Sequence, residues 1–212
     1  MINRLVLLLL LIVFIDNFNK LDKYSLESKF NLYRSLMCLY FSFYALEIVL
    51  NNINISRLLT YTNNEIIDIT EWFKSYLILD LIYMVWNKSL RWDLFLHHVW
   101  CLINYLIATY YNNLGYFHVL VLINECISIV SGIDSIAMED KQLNLSKKFK
   151  KYRIYVINYI RRPIWLLAII ILFYYKNNIN IFVFYHSIFT SIFMLFLDYF
   201  WYKKCIKAIN KL

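Results

Sequence analysis

Asp93, His97 and His98 are the residues whose types and spacing could do chemistry in this chain. Asp93 and His97 are four apart, one turn from each other on one face of a helix. A carboxylate there can orient an imidazole and stabilise its protonated form, giving a general base; an imidazole can also act as a nucleophile. His98 points about 100° away from His97, so the two rings carry different roles. The competing reading is scaffolding, with Asp93 paired to Arg91 or a headgroup and the histidines bonded to neighbouring helices. The flanking residues 90–100 are otherwise mostly apolar. Ionisable groups in a bilayer face a protein interior or a wet cavity, which favours a functional centre.

Further polar residues interrupt apolar runs: Asp80, the pair Asn124-Glu125, and Asp198 near the end of the last run. Arg161-Arg162-Pro163 supplies cations to neutralise these acids, and Pro163 is expected to kink its helix. If Asp80, Asp93, His97, Glu125 and Arg161 or Arg162 face one another, with Asn124 beside them, they form a polar chamber of paired charges. Interhelical hydrogen bonding is the alternative for Asp80 and Glu125. Asp198 is expected to snorkel or to pair with Lys203. The four histidines, His97, His98, His118 and His186, are too few for a histidine-rich di-iron site, and adjacent residues chelate one ion poorly from a regular helix. Neither a metal centre nor a permanently bound cofactor is expected.

The elements that must hold these residues follow from composition. The chain has 212 residues, 61% hydrophobic and 19% aromatic, with only two glycines and one proline. Long apolar runs with so few turn residues, and no sustained alternation, exclude a loop-rich β protein and a separate soluble domain. The expected fold is all-α: a polytopic membrane protein with about seven transmembrane helices. A spanning helix needs about 20 mostly apolar residues, and the candidates are residues 5–18, 32–50, 72–86, 93–111, 114–130, 155–175 and 179–202. The first is read as an uncleaved helix, because no small-residue cleavage site follows it. Asn112-Asn113 should close a tight hairpin between the fourth and fifth segments, and residues 51–71 and 131–151 read as polar loops. Asn54-Ile55-Ser56 is a glycosylation sequon. The aromatics at segment ends, among them Trp72, Trp86, Trp92, Tyr110, Tyr111, Tyr116 and Trp201, read as interfacial anchors. Cys38, Cys101, Cys126 and Cys205 are scattered and read as ordinary thiols.

The net charge of +8 does not point to nucleic acid, since the basic residues sit mostly at the ends of apolar runs. Sixteen Lys and Arg border one side of the predicted membrane and four the other. The bias puts the amino terminus in the lumen and the carboxyl terminus in the cytosol. The run Lys147-Lys148-Phe149-Lys150-Lys151 reads as a topogenic patch on the cytosolic side.

Taken in order, Ser75-Tyr76-x-x-x-Asp80-Leu81, Asp93-x-x-x-His97-His98, Asn124-Glu125 and Arg161-Arg162-Pro163 resemble the TLC-domain family, which includes the ceramide synthases and the translocating-chain-associating membrane proteins. The resemblance covers roughly residues 32–202, with residues 1–31 as an extra helix and short loop and 203–212 as a basic tail. It implies a bundle of about six helices around a polar cavity. It also implies a role in lipid metabolism, with membrane lipids as partners, fatty acyl-CoA as co-substrate and residence in the endoplasmic reticulum; homo-oligomerisation stays open. Carried over from the synthases, His97 or His98 would be base or acyl acceptor and Asp93 its partner. Asn124-Glu125 stands where synthases have a His-Asp pair and is closer to the small non-synthase branch. Two expectations follow: an acyl-CoA-dependent acyltransferase acting on a lipid amine or hydroxyl, or a non-catalytic lipid-binding protein that adjusts membrane composition or trafficking.

Overall fold

The structure, a computed structural model, describes residues 2–51, 64–87 and 91–211. Among these residues there are helices and short turns and no strand. The helices are α1 (Ile2–Asp16), α2 (Leu26–Asn51), α3 (Asn64–Trp86), α4 (Trp92–Tyr110), α5 (Gly115–Leu122), α6 (Cys126–Glu139), α7 (Leu143–Val156), α8 (Arg162–Tyr174) and α9 (Ile181–Ile209). Helix α5 passes into α6 through a 3₁₀ turn at Ile123–Glu125, and α7 passes into α8 through a π-helical turn at Ile157–Arg161. Among the described residues, four helical stretches are long and apolar enough to cross a membrane: α2, the joined α5–α6, the joined α7–α8, and α9. Helices α3 and α4 are diluted by the ionisable residues they carry, including Asp68, Glu71, Lys74 and Asp80 on the first and Asp93, His97 and His98 on the second. Helix α1 has only 15 residues.

Helix α2 packs between α6 and α3, α3 against α4, and α4 against α9. Helix α9 in turn lies on α7 and α8, and α7 returns to α6. Helix α1 lies outside this circuit on α2 and α3. The outward faces carry Phe43, Ile82, Leu106, Ile170, Phe182 and Phe196, apolar side chains suited to lipid contact.

The α2–α6 contact is made by small residues. Gly132 lies where an added Cβ would sit 2.5 Å from the Asn31 carbonyl oxygen and collide with the Ser35 side chain. Ser35 Oγ donates across to the Ser128 carbonyl at 2.8 Å, and Ser28 and Ser135 hydroxyls meet at 2.8 Å. Close backbones and hydroxyl pairs are how helices associate in lipid, where burying apolar surface gives no driving force. At the helix ends Lys23 and Tyr24 both donate to Asp140 at 2.8 Å. Those contacts hold the Asp140 carboxyl below, and the Lys23 ammonium above, their ordinary values.

Several expectations are corrected. Residues 131–151 are not a loop, because Ser131 to Glu139 completes α6 and Leu143 to Lys151 opens α7. Only Asp140–Gln142 turns, with Lys141 at φ 56° and the Gln142 N–H on the Ala137 carbonyl at 2.9 Å, a Schellman closure. The basic run 147–151 is therefore helical, and Lys150 is bound to Asp134 at 2.7 Å. Residues 203–209 continue α9 and are not a separate tail. Residues 64–71 belong to α3, while the sequon at 54–56 lies outside the described residues. Helices α4 and α5 meet through Asn104, Tyr105 and His118 but do not pack along their lengths. Helix α5 packs mainly on α2, α3 and α8, and Leu114, buried at φ 64°, turns the chain away. Tyr116 is buried and donates to the Val49 carbonyl at 2.7 Å, so it is not an interfacial anchor.

Gly132→Ala should lower the thermal midpoint of the full chain in detergent by the equivalent of about 1–3 kcal/mol of overpacking. Lys141→Gly should raise it by about 1 kcal/mol by relieving the left-handed residue. An unchanged midpoint for Gly132→Ala would show that α2 and α6 do not approach this closely.

Candidate functional site

His97 and His98 enter the interior from the second turn of α4, both about 97–98% buried. Their neighbours differ, as the roughly 100° between adjacent helical residues requires. His98 Nδ1 lies 2.6 Å from Asp80 Oδ2, at ion-pair distance and out of line for an N–H···O hydrogen bond. Asp80 is fully buried, and Arg34 completes its shell: Nε donates to Oδ1 at 2.6 Å and Nη2 to Oδ2 at 3.3 Å. His97 Nε2 faces Glu125 Oε1 at 3.6 Å, and its Nδ1 lies 3.3 Å from Met194 Sδ. Cys38 Sγ approaches Glu125 Oε2 at 3.8 Å.

A third pair closes the cluster. Arg161, fully buried, donates through Nε to Asp198 Oδ1 and through Nη1 to the Asn124 carbonyl, both at 2.6 Å. The local backbone makes this geometry. Pro163 lacks an N–H and crowds the carbonyl four residues back; the π turn at Ile157–Arg161 absorbs that misfit without breaking the helix. The result aims Arg161 inward. On the facing helix the tighter 3₁₀ turn buries both Asn124 and Glu125 and presents the Asn124 carbonyl. Trp201 lies under the cluster, its ring 5.3 Å from the Arg161 guanidinium and 5.4 Å from the His97 ring.

The sequence-predicted residues thus separate into two groups. Asp80, His97, His98, Asn124, Glu125 and Arg161 come together. Asp93 and Arg162 do not join them. Asp93, in the first turn of α4, accepts from Trp201 Nε1 at 2.9 Å and from Arg91 and Lys204 at 3.1 Å. The imidazoles take other carboxylates, Asp80 for His98 and Glu125 for His97. Arg162 donates to Asn158 Oδ1 at 2.7 Å and covers the Tyr202 ring. Asp198 neither snorkels nor pairs with Lys203, since it is fully buried against Arg161. Trp201 is 5% exposed and hydrogen-bonded inside, not an interfacial anchor, whereas Trp86, Trp92 and Tyr110 are exposed.

Sequence reasoning missed Arg34, Cys38, Tyr76 and Met194 as partners of this cluster. Arg34 had the clearest signal, an arginine inside the apolar run 32–50. Its place near the start of that run gives it the look of a flanking cation. Beside His98 is a cavity of about 50 Å³, whose walls include Tyr76, Arg34 and His98 but not His97. The arrangement therefore offers one imidazole with a carboxylate behind it and open space in front. The other imidazole is packed among sulfur, aromatic and carboxylate groups.

The buried Arg161–Asp198 pair generates a stability prediction. Asp198→Asn should cost about 3–5 kcal/mol by leaving Arg161 uncompensated. The double variant Arg161→Met/Asp198→Leu should recover most of that loss. The check is a double-mutant cycle on thermal or denaturant unfolding of the purified chain. Additive losses would show that the two side chains do not meet.

Compared with protein-family models, with curated proteins and with solved structures, the chain gives no match in any of the three.

Proposed function

We propose that the chain is a TLC-domain-like integral membrane protein of lipid metabolism that transfers a fatty acyl group from acyl-CoA to a lipid amine or hydroxyl. The observation that carries the reading is His98, a buried imidazole backed by Asp80 at 2.6 Å and bordering a cavity. In the proposed step His98 removes the proton from the attacking amine or hydroxyl. The nucleophile forms its bond to the acyl carbon as the thioester C–S bond breaks, and His98 returns the proton to the departing thiolate. Asp80 orients the ring and stabilises its charged form, with Arg34 holding Asp80 in place through two hydrogen bonds. His97 and Glu125 hold α4 against the α5–α6 turn and support the ring next door.

In this reading all seven apolar segments cross the membrane. The six elements from α2 to α9, counting α5–α6 and α7–α8 as one each, enclose the polar interior, with α1 outside. The closed order of packing neighbours supports this. The excess of Lys and Arg at one end supports a lumenal amino terminus and a cytosolic carboxyl terminus, with residence in the endoplasmic reticulum. One observation favours the alternative, a non-catalytic protein that binds lipid and adjusts membrane composition or trafficking. A cavity of about 50 Å³ takes a group of a few heavy atoms and not an acyl chain, so catalysis requires the helices to part.

The test is lipid analysis of cells expressing wild type, His98→Ala, His97→Ala and Asp93→Asn at matched membrane levels. His98→Ala should reduce the acylated product by about 10²-fold or more, the usual contribution of a general base. Asp93→Asn should cost much less. His97→Ala should act mainly by lowering the amount of folded protein. Equal lipid changes from wild type and His98→Ala would reject catalysis and favour the regulatory reading.

A further inference from the structure

The walls of the cavity beside His98 carry Asn31, Arg34, Arg91, Ser128, Ser131 and Arg153. Three guanidiniums and an imidazole line it, and no carboxylate does, among the described residues. Their compensation is incomplete. Asp80 is shared between Arg34 and His98, and Asp93 between Arg91 and Lys204. Arg153 is partly buried, and its Nε is fully shielded with no hydrogen-bond partner. An uncompensated guanidinium in a shielded place is costly unless an anion meets it, and arginine forks match the oxygens of phosphate in pairs. The cavity also has a direction. The Arg91 side chain is 45% exposed and marks the mouth, whereas the His98 side chain is 3% exposed and marks the floor.

From this we infer that the cavity is an anion site for a phosphate or pyrophosphate group, with Arg153 as its free cation and Arg91 at its rim. The hydroxyls of Ser128 and Ser131 and the Asn31 amide complete a polar wall that can donate to the remaining oxygens. Once the helices part, a molecule held there by its phosphate extends its other end towards His98. The step from anion site to co-substrate site rests on the acyl-transfer reading; the binding itself does not. Two sources carry the same chemistry, a soluble phosphate-bearing molecule and an anionic lipid headgroup.

The experiment uses the full chain in nanodiscs and follows binding by intrinsic fluorescence and by thermal midpoint. In phosphatidylcholine discs inorganic pyrophosphate is titrated; in a second arm part of the phosphatidylcholine is replaced by phosphatidic acid. The expected result is saturable stabilisation in at least one arm, weakened by salt and at least tenfold weaker in Arg153→Gln than in wild type, with Arg153→Lys between them. Response to pyrophosphate identifies a soluble source, and response to phosphatidic acid alone identifies a headgroup. No response in either arm, or a response that Arg153→Gln leaves unchanged, overturns the site. Should Arg153→Gln fail to fold by gel filtration, Arg91→Gln carries the same comparison. Acyl-transfer assays on the same wild-type discs separate this inference from the catalytic one: arginine-dependent binding without any acyl transfer sinks only the catalytic reading.

Discussion

Every ionised group in the interior has to meet its opposite, and the rest of the structure depends on how that is arranged. Arg34 and His98 share Asp80, His97 faces Glu125, and Arg161 holds Asp198. An ion pair in an apolar surround is weak evidence for stability by itself, because desolvation offsets most of the attraction. Its effect is on arrangement. Separating either partner leaves a bare charge, so the helices carrying them can pack in few other ways. The first set links α2, α3 and α4. The second links α4 to the α5–α6 turn, and the third links the α7–α8 turn to α9 while reaching the Asn124 carbonyl. Together the pairs form a belt through all the elements of the packing circuit.

Two departures from regular α-helix make the belt reach. A 3₁₀ turn winds the chain more tightly at Ile123–Glu125, and a π turn loosens it at Ile157–Arg161. In a regular helix the residue that satisfies the core face and the one that meets the cluster need not coincide. Over-winding one helix and under-winding its neighbour lets Glu125 face His97 while Arg161 faces Asp198. The single proline of the chain, Pro163, fixes where the second irregularity falls. Hydrophobic packing then locks both: Leu122, just before the first turn, and Ile157, which opens the second, are 2% and 0% exposed.

Much of this was legible in the sequence, and the limits have physical causes. The helical class followed from apolar runs and scarce turn residues, and each sequence-predicted residue that joins the cluster lies inside such a run. The buried stripes have helical spacing: Cys38, Phe41 and Ala45 on α2; Phe73, Tyr76 and Asp80 on α3; Met194, Asp198, Trp201 and Cys205 on α9. Read with those stripes, Arg34 and Asp198 belong to the interior, since each is four residues from a buried neighbour on the same face. Treating them as flanking charges weighed nearness to a segment end above phase around the helix. Asp93 failed for the opposite reason. Its spacing to His97 was right, but the first turn of α4 lies at the mouth, where Arg91 and Lys204 compete for its oxygens. The polar stretches 64–71 and 131–151, helical except at Asp140–Gln142, show that polar composition does not end a helix. Lysine and glutamate are good helix formers, and the stop at Asp140–Gln142 is a left-handed lysine that composition gives no reason to expect.

The two ends of the interior differ in kind, and that difference gives the site its polarity. Away from the charged belt, Asn104 bonds His118 at 3.1 Å and His186 at 3.0 Å, while Trp100 donates to Thr190 at 2.9 Å and stacks on His186. Hydrogen bonds among amide, hydroxyl, indole and imidazole groups can close without a counter-ion. The belt cannot close that way, because its guanidiniums stay charged at any working pH. Among the described residues Arg153 has no ion pair; it lies on the cavity at the belt's end, and the exposed Arg91 stands at its mouth. In the proposed anion site a negatively charged group enters at the mouth that Arg91 marks. The neutral network on the far side offers it nothing comparable. A molecule with an anionic end and a reactive end would then seat the anionic end at the mouth and lead with the other towards His98.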